Sequence, residues 1–218
     1  MNAFYRLVWI TYRSWFTVYH RLRLCNAERV PNTGPVLLAA NHASFYDPPL
    51  IGCSLPGEIC YLGRESLFKN WLVNWALRDG LNVIPVDRDG GGGAGLKGVL
   101  DNLKRGRTVI LFPEGTRTCD GNLQPVRSGV GLAVLKADAP VVPVRIFGTY
   151  ESWNRTHRLP RPHQIVVKFG QPLRFESLRA EAKTCSKARL KVIYQEIADQ
   201  IMAAIAVLQP CVDKAEFP

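Results

Sequence analysis

Short apolar runs alternate with amphipathic stretches along most of this chain, and that alternation limits the fold more than any other feature does. Six runs have the length and composition of buried strands: 35–40, 58–63, 81–86, 108–112, 141–147 and 164–169. Stretches with helical periodicity lie between or after them, at 66–78, 96–105, 128–138 and 186–208. In the first of these, Ser66 is the expected N-cap and the apolar stripe is expected to pack in the core. Alternating strands and helices predict an α/β fold with a mixed, largely parallel sheet flanked by helices.

Two local features modify this pattern. Pro143 lies inside the run 141–147 and cannot donate a ladder hydrogen bond, so that strand is expected at a sheet edge or to be locally irregular. The stretch 89–95, DGGGGAG, is rich in glycine, but no Gly-Lys-Ser/Thr follows it. It therefore predicts a flexible linker and not a phosphate-binding loop.

Polar residues follow four of the predicted strands. They are His42 after 35–40, Arg64 after 58–63, Arg88 after 81–86, and Glu114 and Arg117 after 108–112. In a largely parallel sheet, ligands bind beyond the carboxyl ends of the strands. We therefore expect these side chains to lie along one edge of the sheet.

The stretch 41–50, NHASFYDPPL, places a histidine and an aspartate five positions apart. On a continuous helix these side chains would point about 140° apart, so they meet only if the chain bends between them. Pro48 disfavours helical backbone at Asp47, which is expected to cap a helix that begins at Pro48. The Asp47 carboxylate could then bind one imidazole nitrogen of His42 and leave the other as a base. The spacing alone leaves open a helix cap beside a buried, hydrogen-bonded histidine.

A second motif, FPEGTRT, occupies residues 112–118. Together with NHASFYD at 41–47, it resembles the PlsC-type glycerolipid acyltransferases, which are the 1-acylglycerol-3-phosphate acyltransferases. Gly63-Arg64-Glu65 continuing to Val86-Asp87-Arg88, and then Val142-Pro143-Val144, fit the same family in the same order. The resemblance covers residues 30–150, with Arg64 standing where family members often have lysine.

This resemblance implies transfer of a fatty acyl group from acyl-CoA or acyl carrier protein to the free hydroxyl of lysophosphatidic acid, giving phosphatidic acid. Such a reaction needs a base, oxyanion donors and a site that positions both substrates, because a thiolate leaves readily. His42 is the expected general base and Asp47 its orienting partner. The expected phosphate-binding residues are Arg64, Arg88, Glu114, Gly115, Thr116 and Arg117. Glu114 is expected to orient Arg117 or to bind the acceptor's hydroxyls, and no metal or further cofactor is expected.

The chain carries a net charge of +10, which favours anionic partners such as phosphates, coenzyme A or anionic lipid. No zinc-ligand spacing, RNP-type strand or basic-zipper pattern accompanies it, so nucleic acid is not expected as a partner. Two other classes of function stay open. Residues 52–56, GCSLP, resemble a hydrolase nucleophile elbow without its last glycine. A non-catalytic lipid-binding domain is the other.

Residues 1–24 combine seven aromatic side chains with several arginines. No apolar run there approaches the ~20 residues of a spanning helix, whereas interfacial helices have this composition. We therefore expect a membrane-contact helix at 1–24 followed by an acyltransferase domain at 25–218. The alternative is a helix packed on the core. The family is known for an N-terminal helical element of this kind, which implies peripheral or monotopic attachment here.

The six cysteines form no C-x-x-C pair, and free, reduced thiols are the expectation for all of them, with a disulfide that the spacing does not reveal as the alternative. Reduced thiols favour the cytoplasmic face of the membrane. A basic loop at 154–163 is expected either to be solvated or to contact lipid or coenzyme A phosphate.

Overall fold

A computed structural model describes residues 1–86 and 93–211. The expected phosphate ligand Arg88 and most of the glycine-rich stretch 89–95 therefore lie outside the described residues. From Gly93 onward that stretch already belongs to a helix.

Seven strands and eight α-helices follow one another in the described residues. The strands are β1 (Arg23–Cys25), β2 (Val36–Ala40), β3 (Ile59–Arg64), β4 (Val83–Val86), β5 (Thr108–Leu111), β6 (Val141–Phe147) and β7 (Val166–Phe169). The helices are α1 (Ala3–Tyr19), α2 (Asp47–Ser54), α3 (Trp71–Trp75), α4 (Gly93–Lys104), α5 (Gly129–Lys136), α6 (Thr149–Trp153), α7 (Glu176–Ala182) and α8 (Lys187–Ala206). None of these helices is long and apolar enough to cross a bilayer.

The strands form one sheet in the order β1-β7-β6-β2-β5-β3-β4. Every neighbouring pair is parallel except β6 and β7, so the prediction of a mixed, largely parallel sheet is confirmed. Strands β2 to β6 run in one direction, and their carboxyl ends share one edge. The short strand β1 was not predicted, because three residues carry too little pattern.

The predicted edge position of Pro143 is wrong. Strand β6 lies inside the sheet, between β2 and β7. Pro143 sits opposite Gly170, just past the end of β7, where its carbonyl accepts the Gly170 N–H at 2.8 Å. The hydrogen bond that Pro143 cannot donate would fall at the end of the β6–β7 ladder, so its absence costs the sheet little stability.

Two apolar clusters cover the two faces of the sheet. Phe16 of α1 and Leu50 and Ile51 of α2 are fully buried on one face. Helices α4, α5, α7 and α8 cover the other face, where Ile193 and Ile197 of α8 are fully buried. The strands of such a sheet are buried on both sides, which explains why they appear in the sequence as continuous apolar runs.

The single helix predicted at 66–78 is broken into three short pieces. A 3-10 turn at Glu65–Phe68 is followed by α3 and then by a π-helical turn at Ala76–Gly80. Asn70, not Ser66, caps α3, because its carboxamide oxygen accepts the N–H groups of Leu72 and Val73 at 2.9 and 3.3 Å. The apolar stripe of this segment was expected in the core, but Trp71 is 75% exposed. Periodicity identifies such a stripe without showing what covers it.

The expectation of six free thiols is wrong for two of them. Cys25 of β1 and Cys211 form a disulfide, with their Cα atoms 6.2 Å apart, while Cys53, Cys60, Cys119 and Cys185 are free. The pair is separated by 186 residues. No local spacing could indicate it, because only the return of the chain past α8 to the sheet edge brings the two together.

Candidate active site

The site begins where β2 ends, at a turn fixed by Asn41. The buried Asn41 carboxamide accepts the Ile146 N–H at 2.7 Å and donates to the Ile146 carbonyl at 3.1 Å. Ile146 belongs to the neighbouring strand β6, so this side chain holds the start of the turn against the sheet. The next residue, His42, leaves β2 in a defined direction.

Asp47 closes the same turn and is fully buried. Its Oδ2 accepts the N–H groups of Ala43 and Ser44 at 2.6 and 2.7 Å and lies 2.8 Å from His42 Nδ1. The carboxylate thus binds the turn that precedes it. The expectation that Asp47 caps the following helix is wrong. Pro48 and Pro49 fill the first turn of α2 and offer no N–H to cap.

The imidazole of His42 is held from two sides. Its Nδ1 is bound to Asp47, which assigns the proton to that nitrogen and leaves Nε2 as the basic atom. Its ring stacks on Phe112 with a centroid distance of 4.0 Å and an interplanar angle of 19°. The side chain of His42 is 14% exposed. It lines a cavity of 240 Å³ at the carboxyl ends of the strands.

The turn after β5 wraps around the backbone of His42. Glu114 Oε1 accepts the His42 N–H at 2.9 Å, and the Thr118 N–H donates to the His42 carbonyl at 2.8 Å. The second Glu114 oxygen accepts the Gln124 N–H at 3.0 Å. Burial raises the pKa of the Glu114 carboxyl, although the two backbone donors act in the opposite direction. Glu114 was expected to orient Arg117, but both of its oxygens are bound to backbone N–H groups.

Gly115 is at the tip of this turn and lines the cavity with His42 and Arg64. Its φ of +69° lies in the left-handed region, which glycine adopts without strain. A Cβ at this position would also lie 2.9 Å from Cδ of Arg127. The Arg127 side chain therefore crosses directly over the turn, and its backbone N–H donates to the Pro113 carbonyl at 3.0 Å.

The two described arginines of the expected phosphate site occupy different positions. Arg64 is the exposed last residue of β3 and lines the cavity that contains His42. Arg117 does not line that cavity, and its guanidinium lies 3.4 Å from the centroid of the Phe45 ring, within cation–π range. Arg155, from the basic loop, donates to the Thr116 hydroxyl at 2.8 Å and to the Arg117 carbonyl at 2.7 Å.

Phe45, Phe112 and Arg127 were not singled out from the sequence, and Arg155 was noted only as part of the basic loop 154–163, not as a neighbour of the turn 112–118. Phe112 and Phe45 provide ring faces for His42 and Arg117, and Arg127 and Arg155 contact the turn 112–118. Phe45 and Phe112 lie inside the two motifs, so their position in the sequence beside the polar residues could have indicated that they belong to the site. The two arginines are distant in sequence from the motifs they contact, and no spacing indicates them.

A larger apolar cavity of 380 Å³ adjoins the one that contains His42. Both cavities are lined by Pro48, Leu62 and Gly63, so they lie side by side. The aromatic side chains of α1 form one wall. At the opposite wall lies Tyr61, whose hydroxyl is 2.8 Å from the hydroxyl of Tyr5 in α1. The Tyr61 side chain fits there only because Gly52 lacks a Cβ. This volume falls in the range of about 300–1,000 Å³ for ligand cavities.

The predicted alternative of a nucleophile elbow at 52–56 has no support in the structure. Gly52, Cys53 and Ser54 lie in helix α2, not on a strand-to-helix turn. The Ser54 hydroxyl is buried and donates to the Leu50 carbonyl at 2.6 Å. Burial raises the pKa of the Cys53 thiol to about 12, which disfavours the reactive thiolate.

Known proteins resemble this chain in sequence and in fold. The family model described as Acyltransferase matches residues 21–147, which include every described residue of the site except Arg155. A 1-acyl-sn-glycerol-3-phosphate acyltransferase of Bacillus subtilis is 26% identical over 181 residues, or 83% of this chain and 86% of that protein. The chloroplastic enzyme BAT2 of Brassica napus is 30% identical over 134 residues, which cover 60% of this chain and only 38% of that protein.

A solved structure points to the same family. The crystal structure of the 1-acyl-sn-glycerophosphate acyltransferase PlsC from Thermotoga maritima superposes with a TM-score of 0.71 at 25% sequence identity. The match covers 95% of this chain and 81% of that one. The family match spans more than half of the chain, and the shared architecture extends over nearly all of it. The chain therefore belongs to the acyltransferase family, and it is of the PlsC type.

Proposed function

We propose that this protein transfers a fatty acyl group from an acyl thioester to the free hydroxyl of 1-acyl-sn-glycerol-3-phosphate, forming phosphatidic acid. One observation carries the proposal: His42, whose Nδ1 is bound to the buried Asp47, lines a cavity together with Arg64, and a larger apolar cavity lies next to it. The acceptor is taken from the names of the relatives, which are 1-acyl-sn-glycerol-3-phosphate acyltransferases.

His42 is the general base of the proposed reaction. Its Nε2 takes the proton of the acceptor hydroxyl while that oxygen attacks the thioester carbonyl. The tetrahedral intermediate collapses with cleavage of the carbon–sulfur bond, and the thiolate takes a proton from the imidazolium or from water. Asp47 keeps Nδ1 protonated and stabilises the positive charge on the ring. No covalent acyl-enzyme is needed.

The acceptor phosphate is proposed to bind between Arg64 and the turn that contains Gly115, Thr116 and Arg117. Guanidinium groups bind phosphate with two parallel hydrogen bonds. Arg64 and Gly115 line the His42 cavity, and Arg117 belongs to the same turn as Gly115, with its guanidinium over the Phe45 ring. Arg88 remains a proposed phosphate ligand on sequence grounds. Glu114 acts indirectly, because it anchors the turn to the backbone of His42.

The apolar cavity is proposed to hold the acyl chain. It is lined largely by aromatic and aliphatic side chains, and it shares Pro48, Leu62 and Gly63 with the cavity that contains His42. Either acyl-CoA or acyl carrier protein could deliver the thioester, since both present it on the same phosphopantetheine arm. We propose that α1 contacts the membrane, in line with the expected division at residue 24, and that the protein is peripheral on the cytoplasmic face. The four free cysteines favour that face, whereas the Cys25–Cys211 disulfide does not.

Release of free thiol from the acyl thioester tests the proposal. A transferase releases thiol only when the acceptor is present, a hydrolase releases it without acceptor, and a binding domain releases none. Lysophosphatidic acid, glycerol-3-phosphate and other lysolipids are supplied in parallel, with acyl-CoA and acyl carrier protein as separate donors. Thiol release that is independent of every acceptor contradicts the proposal.

A further inference from the structure

Residues 65–80, named here the tryptophan segment, expose large apolar side chains. Five of them lie within nine residues and are 42–75% exposed: Leu67, Trp71, Leu72, Val73 and Trp75. Scattered exposed apolar residues are ordinary, but a contiguous group of this size marks a surface that binds a partner or a membrane. No element of the described residues covers this group, which the sequence pattern assigned to the core.

Helix α1 lies beside this segment. The ring of Phe4 is 5.4 Å from that of Trp75, and the Asn2 side chain donates to the Gly80 carbonyl at 3.3 Å. Leu7 and Ile10, on the next turns of α1, are 63% and 47% exposed. The start of α1 and the tryptophan segment therefore form adjacent parts of one apolar surface.

The 380 Å³ cavity lies between these two elements. Tyr5 and Val8 of α1 and Leu67 and Leu77 of the tryptophan segment all line it. Leu67 lines the cavity and is also 52% exposed, so the cavity reaches the molecular surface beside the segment. An apolar chain that leaves the cavity there enters the same apolar surface.

We propose that the tryptophan segment, with the adjoining side of α1, is the surface by which this protein docks on an anionic lipid bilayer. Tryptophan prefers the headgroup layer, where its ring is apolar and its N–H remains solvated. Within the segment the exposed bases Lys69 and Arg78 are balanced by the exposed acids Glu65 and Asp79, so the preference for anionic lipid comes from the net charge of +10 on the whole chain. When the protein is docked in this way, the 380 Å³ cavity opens toward the acyl layer of the bilayer. That this cavity then receives an acyl chain rests on the proposed function.

Vesicle sedimentation of the full chain tests the docking. The double variant Trp71→Ala/Leu72→Ala removes two exposed side chains that line neither cavity. We expect its partition onto phosphatidylcholine–phosphatidylglycerol vesicles to fall about tenfold or more, because the apolar area buried on docking is lost. Val192→Ala/Val207→Ala, at exposed positions on and just after α8 on the other face of the sheet, is the matched control and should bind as the wild type does.

A kinetic measurement separates docking from chemistry. With a short-chain acceptor dissolved as monomers, the Trp71→Ala/Leu72→Ala variant should match the wild type, while with acceptor embedded in vesicles it should be about tenfold slower. Equal partition of this variant and the wild type overturns the docking proposal, as does an equal loss in the control. If the wild type shows no acyl transfer but partition still falls in the variant, the proposed function fails and the docking surface stands.

Discussion

The replacement Asp47→Asn isolates the charge of Asp47 from its role in holding the turn. All three of its hydrogen-bond partners converge on one oxygen, Oδ2, which receives the N–H groups of Ala43 and Ser44 and faces His42 Nδ1. The other oxygen is buried and has no hydrogen-bond partner among the described residues. An asparagine can therefore place its carbonyl oxygen at the Oδ2 position and keep all three bonds.

The expected loss in rate follows from the charge that is removed. Two unit charges 4 Å apart in a protein of effective dielectric constant 20 attract by about 4 kcal/mol, so a half-developed imidazolium loses about 2 kcal/mol. A neutral acceptor weakens the hydrogen bond to Nδ1 by about 1 kcal/mol. Together these terms raise the barrier by about 3 kcal/mol, and kcat falls about a hundredfold.

Steady-state kinetics and thermal unfolding measure this expectation together. Asp47→Asn should unfold within a few degrees of the wild type, whereas Asp47→Ala leaves two buried N–H groups unsatisfied and should lose about 2–6 kcal/mol of stability. In a His42→Ala background, Asp47→Asn should cost no further activity, because Asp47 acts through the imidazole. A folded Asp47→Asn protein that keeps more than a tenth of kcat refutes the assigned role.

Three further predictions concern the neighbouring residues. His42→Ala should lower turnover by about 10²–10⁴-fold with an unchanged circular dichroism spectrum, and retention of a tenth of the activity contradicts the base assignment. Arg117→Lys should raise the acceptor KM by the equivalent of about 1–3 kcal/mol, because lysine cannot form two parallel bonds, whereas Arg64→Lys should change it far less. Separate variation of acceptor and donor measures this, and a shift in the donor KM alone argues against the phosphate site. Glu114→Gln should lower the free energy of unfolding in urea by about 1–3 kcal/mol, because one of two backbone N–H groups then faces an amide donor.

Local sequence information predicted the parts of the fold that depend on local chemistry. Of the runs that became β2 to β7, that of β2 and most of that of β6 are buried on both sides, and such strands have a continuous apolar composition. His42 and Asp47 are close in sequence, and the prolines after them leave few ways for the chain to turn. Their contact was one of two arrangements that these residues left open, the other being a helix cap beside a separately hydrogen-bonded histidine, and the resemblance carried by FPEGTRT favoured the contact.

Other parts of the site depend on which strands become neighbours. Phe112 stacks on His42 because β5 pairs with β2, a choice that no single segment encodes. The exposure of Trp71 likewise depends on what the rest of the chain leaves uncovered. The disulfide of Cys25 depends on where the end of the chain returns to the sheet.

The hydrogen bonds around His42 determine where the protein can open locally. Its N–H, its carbonyl and the N–H of Gln124 are tied into one network through Glu114 and Thr118. An opening that frees any one of these groups has to release the others, so this region should show a high free energy of local opening in amide hydrogen exchange. Local opening is therefore expected at the larger apolar cavity instead, whose wall includes Leu67 and Leu77. There, the tryptophan segment consists of short helical pieces with largely exposed side chains and can open at much lower cost.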